Sequence, residues 1–87
     1  MRIVYSKDNG GDVIFDLVDE TSGSVIRRFR IVKKRLLNGR WLIRVYEVNG
    51  DREDLFDEYE VPELRTEDVV RRELIRILNG EFGLNPY

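Results

Sequence analysis

Short apolar runs alternate with turn-forming residues as far as about residue 61, and the apolar spacing then becomes that of a helix. Runs rich in branched and aromatic side chains predict five β-strands, at about residues 2–7, 12–18, 25–37, 40–48 and 53–61. A helix is predicted at about 66–79, followed by an apolar tail at 81–87. We therefore predict one α+β domain, residues 1–87, with a five-stranded antiparallel meander, strongly twisted or partly rolled, and one C-terminal helix packed on one face.

The turn between the third and fourth predicted strands sets the faces of both strands. Asn38-Gly39 favours a two-residue type I′ turn, which pairs residues whose numbers sum to 77. This register places Lys33 opposite Arg44, and such a like-charge pair is destabilising unless an anion lies between the two cations. A β-bulge would separate them equally well.

The helix is predicted from its ends and from its apolar stripe. Thr66 is the expected N-cap, and Asn79-Gly80 is the expected C-cap. We expect the stripe to pack on the sheet face that carries Trp41, because each surface is apolar and needs a partner. The stripe consists of Val70, Leu74, Ile77 and Leu78.

The formal net charge of −2 conceals a strong segregation of charge along the chain. Residues 24–46 contain no acid and eight cations, whereas residues 1–23 sum to −3 and residues 47–87 to −7. We expect cross-strand ion pairs with the acidic neighbours to neutralise most of these cations. A turn at 20–23 pairs Leu17 with Ile26. In this register the second strand lies beside only the first part of the third strand, so the last cations of the third strand lack an acidic neighbour.

The predicted binding site is a basic tip that extends beyond the rest of the sheet, where the third and fourth strands meet. Cations bind phosphates and aromatic rings stack on bases, so this chemistry fits the backbone of DNA or RNA. Phe29 and Tyr46 are expected on the face opposite Trp41, where an exposed ring would be accessible. The predicted nucleic-acid-binding residues are Lys33, Lys34, Arg35, Arg40, Arg44, Phe29 and Tyr46.

The composition removes several classes of chemistry. The chain has no Cys and no His, which excludes thiolate metal sites, imidazole ligands and a neutral-pH proton shuttle. The acidic run at 51–60 does not match an EF-hand loop, and strand alternation divides its carboxylates between two faces. We predict no enzyme, no catalytic residue, no metal and no cofactor. The apolar runs are too short for a membrane span and residues 1–8 do not form a signal peptide, so we expect a cytoplasmic protein without a membrane partner.

Two other functions fit the same sequence. The domain could bind another protein or a second copy of itself through a sheet face, an edge strand or the apolar tail. Alternatively, four Asn-Gly pairs are typical of an engineered or idealised scaffold without a biological function, while twelve Arg and the lack of Gln are typical of a thermostable protein.

The order of the elements resembles two groups of known proteins. A hairpin, a three-strand meander and a C-terminal helix are similar to the small SH3-like chromatin proteins of archaea, and this resemblance implies duplex binding on a basic sheet. Four strands and a helix also resemble small single-strand binders. Separately, residues 16–27 resemble a hairpin of FlaG-type flagellar proteins.

Overall fold

A computed structural model describes residues 2–7 and 10–82. Five antiparallel strands form one open sheet in the order in which they occur along the chain, and one helix follows them. This arrangement confirms the predicted α+β fold. The elements are β1 (Arg2–Lys7), β2 (Val13–Val18), β3 (Val25–Arg35), β4 (Trp41–Asn49), β5 (Arg52–Val61) and α1 (Thr66–Phe82).

Both predicted helix caps are wrong. The Arg65 carbonyl oxygen accepts a hydrogen bond from the Val69 N–H at 3.1 Å, so Thr66 is the first helical residue and not the cap. At the other end, Gly80 lacks the positive φ of a C-terminal cap, and the helix continues through it to Phe82. The first two residues of the predicted tail therefore belong to α1, and residues 83–87 lie outside the described part of the chain.

The β3–β4 hairpin has a three-residue loop where a two-residue turn was predicted. The Leu36 N–H donates to the Arg40 carbonyl oxygen at 2.8 Å, and the Gly39 N–H donates to the Leu36 carbonyl oxygen at 3.0 Å. A type I′ turn needs positive φ at both central residues, but only Gly39 has it, at 84°. This geometry is that of a type I turn followed by a left-handed glycine.

The longer loop shifts the hairpin register by one residue. Lys33 lies opposite Ile43, and Val32 lies opposite Arg44. The predicted like-charge pair of Lys33 and Arg44 is therefore wrong, because a shift of one residue moves the partner to the other face of the sheet.

A β-bulge changes the register between β2 and β3. Val18 pairs with Val25 next to the turn, but beyond an irregularity Leu17 pairs with Arg27, so the predicted Leu17–Ile26 pair is wrong. Despite the bulge, β2 still covers only the first part of β3, because the pair farthest from the turn is Val13 with Ile31. Residues 32–35 of β3 thus extend beyond β2, as predicted.

The core lies between one face of the sheet and α1. Its centre is aromatic: the Phe15 and Phe29 rings stack with centroids 4.9 Å apart, and Phe56 meets Phe29 edge-on at 5.2 Å. Trp41 packs against this core, which confirms its predicted place. Within residues 2–7 and 10–82, no helix is long and apolar enough to cross a membrane. The fully buried or nearly buried apolar residues of the core are Val13, Phe15, Leu17, Phe29, Ile31, Ile43, Val45, Val69, Val70 and Ile77.

Candidate nucleic-acid interface

Most cations of the basic segment lie in ion pairs with acids of other segments of the sheet, as the charge pattern predicts. Two of these pairs are bidentate: Arg28 with Asp16 across β2–β3, and Arg27 with Glu47 across β3–β4. Such pairs tie adjacent strands together through parallel charged hydrogen bonds. The pairs are Arg27–Glu47, Arg28–Asp16, Arg30 with Asp12 and Glu53, Arg40–Glu60 and Arg44–Glu58.

Three consecutive cations at the end of β3 differ from the others. Among the residues that the structure describes, Lys33, Lys34 and Arg35 form no ion pair. They lie in the part of β3 that extends past β2, so no acidic side chain of β2 reaches them. We call these three residues the basic edge.

The basic edge is open on one side only. β5 runs alongside β4 as far as the pair of Trp41 with Val61, so the strands β3 and β4 do not extend beyond β5. The prediction of a tip that extends beyond the whole sheet is therefore wrong. Strand alternation places Lys33 and Arg35 on the helix side, where the Arg35 guanidinium lies 5.6 Å from the centroid of the Trp41 ring, and Lys34 on the opposite side.

A groove adjoins the basic edge on the helix side, where β1 and β2 end beside the first half of α1. Its volume is about 790 Å³. Three cations line it, from three different elements: Lys7, Lys33 and Arg71. Among the described residues of the lining, Glu67 is the one acid, and the Arg71 guanidinium also lies 3.8 Å from Asp68. The apolar part of the lining consists of Val13, Val70, Leu74 and the ring of Tyr5.

The structure divides the predicted site residues into two groups. Lys33, Lys34 and Arg35 lie together and are available to a ligand, whereas Arg40 and Arg44 are occupied by Glu60 at 3.6 Å and Glu58 at 3.1 Å.

Neither predicted ring joins the basic edge. Phe29 is fully buried, which makes its predicted exposure wrong, and the physical reason is the hairpin register: β3 and β4 pair so that Phe29 lies on the same face as Trp41. Tyr46 is half-buried and pairs with Arg30, on the face opposite α1.

Three residues of the groove were not predicted. Tyr5 and Lys7 occupy alternate positions on β1 and so share its helix-side face, and Tyr5 remains 56 % exposed. Arg71 follows the buried Val70 on α1. The alternation of Tyr5 and Lys7 was visible in the sequence. Their proximity to Lys33 depends on the position along β3 at which β2 begins.

A buried carboxyl group lies in the middle of the helix–sheet interface. Glu73 is 0 % exposed, and neither of its oxygens accepts a hydrogen bond from a described residue. The nearest guanidinium nitrogens belong to Arg72 and Arg76, at 3.8 and 3.9 Å. Its spacing from Val70 and Ile77 places it on the buried stripe, which a sequence reading could have noticed.

The pKa values of Glu73 and the neighbouring Asp57 are shifted in opposite directions. Burial raises the pKa of Glu73 to about 8, and the interaction with the nearby Asp57 carboxyl group acts in the same direction. Burial also opposes the ionised form of Asp57, but its interactions with Glu73 and with the Arg72 and Arg76 guanidinium groups outweigh burial, and the pKa of Asp57 is lowered. A protonated Glu73 beside an ionised Asp57, which accepts a hydrogen bond from Arg72 at 2.9 Å, avoids two adjacent buried negative charges.

A smaller groove of about 340 Å³ near Glu73 is lined by Tyr59 and Arg72, but the carboxyl groups of Glu73 and Asp57 do not line it. Tyr59 is itself constrained, since burial raises the pKa of its hydroxyl to about 12. Across the described ranges, no three acidic residues are grouped as a metal site would require.

Comparison with protein-family models, with curated proteins and with solved structures gave no match to this chain. The basic edge and the groove beside it are therefore the features of the molecule that indicate a function.

Proposed function

We propose that this domain binds the phosphate backbone of a nucleic acid through the basic edge. The observation that carries the proposal is the contrast within one segment: five cations are paired with acids, while Lys33, Lys34 and Arg35 have no acidic partner among the described residues. Lys33 and Arg35 project from the same face of β3, and the repulsion between these like charges falls when an anion binds between them.

The local charge outweighs the net charge in this argument. The protein carries −2 overall, which disfavours a nucleic acid at long range, but charges more than a Debye length away are screened at physiological salt. At the short range of a phosphate contact, the basic edge and Lys7 contribute positive charge, and Glu67 is the nearest lining acid. The surface therefore favours a small number of phosphates over an extended duplex.

The number of contacts predicts a modest salt dependence. Three phosphate contacts give a slope of log K against log salt of about −2 for a single strand and about −3 for a duplex. We expect binding to weaken measurably between about 20 and about 300 mM salt.

A charge-reversal series measured by fluorescence anisotropy tests the proposal. The variant Lys33→Glu, Lys34→Glu, Arg35→Glu should lose binding of a labelled oligonucleotide. The matched control Arg2→Glu, Arg52→Glu, Arg65→Glu changes the net charge equally at exposed positions elsewhere. Equal losses in both variants, absence of binding at low salt, or binding independent of salt would each contradict the proposal.

Self-association is a second candidate, and a specific observation favours it. No described helix or strand packs on the sheet face opposite α1, and this face carries exposed apolar side chains between its ion pairs. Val4 is 41 % exposed and Leu55 is 54 % exposed. Light scattering at rising protein concentration tests it, since a constant monomer mass would contradict self-association.

A further inference from the structure

The groove beside the basic edge has two chemical parts, an apolar floor and a cationic rim. We propose that it takes one unstacked base of a single-stranded nucleic acid, with the base lying on the Tyr5 ring and the flanking phosphates on the rim. The inference rests on the proposed function, and it names the form of nucleic acid that the site binds.

The floor suits a planar aromatic ligand. Val13, Val70 and Leu74 contribute apolar surface from a strand and from the helix, and the Tyr5 ring borders them. The ring is 56 % exposed although it lies on the helix-side face of β1, next to the buried Phe15. A base stacked on this ring would cover apolar surface that is now open to water, and stacking of this kind tolerates any base.

The rim suits the phosphates on either side of that base. Lys33 belongs both to the groove and to the basic edge, so a strand that leaves the groove on this side continues towards Arg35. Lys7 and Arg71 line the groove as well and can contact a second phosphate. The volume of about 790 Å³ falls in the range of about 300 to 1,000 Å³ that is usual for small-ligand sites.

The small number of cations decides between single and double strands. Non-specific duplex binding draws its affinity from phosphate contacts, and three or four contacts give little at physiological salt. The bases of a duplex are stacked and paired, so a base must be extruded before it can reach the apolar floor. A single strand presents its bases freely and gains both the stacking and the phosphate contacts.

Fluorescence anisotropy with an oligothymidylate of about 12 nucleotides, compared with a duplex of equal length, tests the inference. Replacing the ring by Tyr5→Ala should weaken single-strand binding by roughly 5- to 150-fold, which is the usual effect of losing one stacking ring. Tyr5→Phe keeps the ring and should bind like the wild type. Tyr46→Ala removes a half-buried ring from the opposite face and should also leave binding unchanged, with circular dichroism confirming that each variant folds.

The outcomes separate this inference from the proposed function. If the charge-reversal variant loses binding but Tyr5→Ala does not, or if the duplex binds as tightly as the single strand, the groove is not a base site although the basic edge still binds phosphate. If thymidine monophosphate competes as well as the oligonucleotide, the ligand is a free nucleotide and the single-strand inference is wrong. If neither nucleic acid binds at low salt, both proposals fail together.

Discussion

Replacing Glu73 by Gln should remove a pH dependence of stability that the wild-type fold contains. Glutamine has nearly the shape of a protonated glutamic acid and carries no charge at any pH. The substitution therefore keeps the neutral form of the side chain that the buried site favours. Wild type and variant should be similarly stable near pH 4.5 and diverge as the pH rises.

The magnitude follows from the two pKa values of Glu73. The pKa of this carboxyl group is 4.5 in the unfolded chain and about 8 in the folded protein. Between these values the folded state retains a proton that the unfolded state has lost, so the free energy of unfolding falls by about 1.4 kcal/mol per pH unit. The full loss is roughly 3 to 5 kcal/mol by pH 8, a large part of the roughly 4 to 13 kcal/mol expected for a domain of this size.

Asp57 acts in the opposite direction and at lower pH. Its pKa is lowered below the ordinary 3.8, so its contribution to stability is present above that pH and is lost as the pH falls through the folded pKa. The wild-type protein should therefore be most stable at mildly acidic pH, with stability falling on both sides.

Urea unfolding followed by circular dichroism, at several values between about pH 5 and about pH 9, measures the difference. The control is Glu67→Gln, which removes an exposed carboxylate from the first turn of the same helix and should leave the wild-type pH profile almost unchanged. Parallel profiles for wild type and Glu73→Gln would contradict this prediction, because they would mean that Glu73 ionises in the folded protein without cost.

Two further predictions concern the backbone and the ion pairs. Gly39→Ala should lower the free energy of unfolding by about 1 to 2 kcal/mol, because a φ of 84° is strained for any residue with a Cβ. Gly80→Ala should raise it by roughly 0.5 to 1 kcal/mol, since Gly80 lies in α1 with open space around the added Cβ. Thermal denaturation of the two variants checks this, and a destabilised Gly80→Ala would contradict it. Arg28→Ala should cost roughly 1 to 3 kcal/mol, because it leaves the Asp16 carboxylate, 8 % exposed, without its bidentate partner. Arg52→Ala breaks an exposed pair and should change the unfolding free energy by less than about 0.5 kcal/mol in the same urea titration, so equal effects would contradict the argument.

The sequence determined which segments form strands and helix, because that information is local. Alternating apolar positions and turn residues marked five strands within one to two residues at most ends, and the spacing of Val70, Leu74 and Ile77 marked the helix. Charge segregation likewise predicted the cross-strand ion pairs, since neighbouring strands of a meander are consecutive in the chain.

Register depended on a detail that the dipeptide Asn38-Gly39 does not decide. Both a two-residue and a three-residue loop accept this pair, and they differ by one residue in register. That single residue sent Phe29 into the core, separated Lys33 from Arg44 and placed Lys33 on the helix side of the sheet.

Only the tertiary structure determines which residues from distant segments of the chain lie close together. The groove joins Tyr5 and Lys7 of β1 with Lys33 of β3 and Arg71 of α1, and no local pattern predicts that these residues converge. The same holds for the shifted pKa of Glu73, which depends on burial against the sheet and on the nearby Asp57. Side-chain periodicity is a property of one segment, whereas desolvation and charge interaction depend on distances through space, and only the folded chain sets those distances.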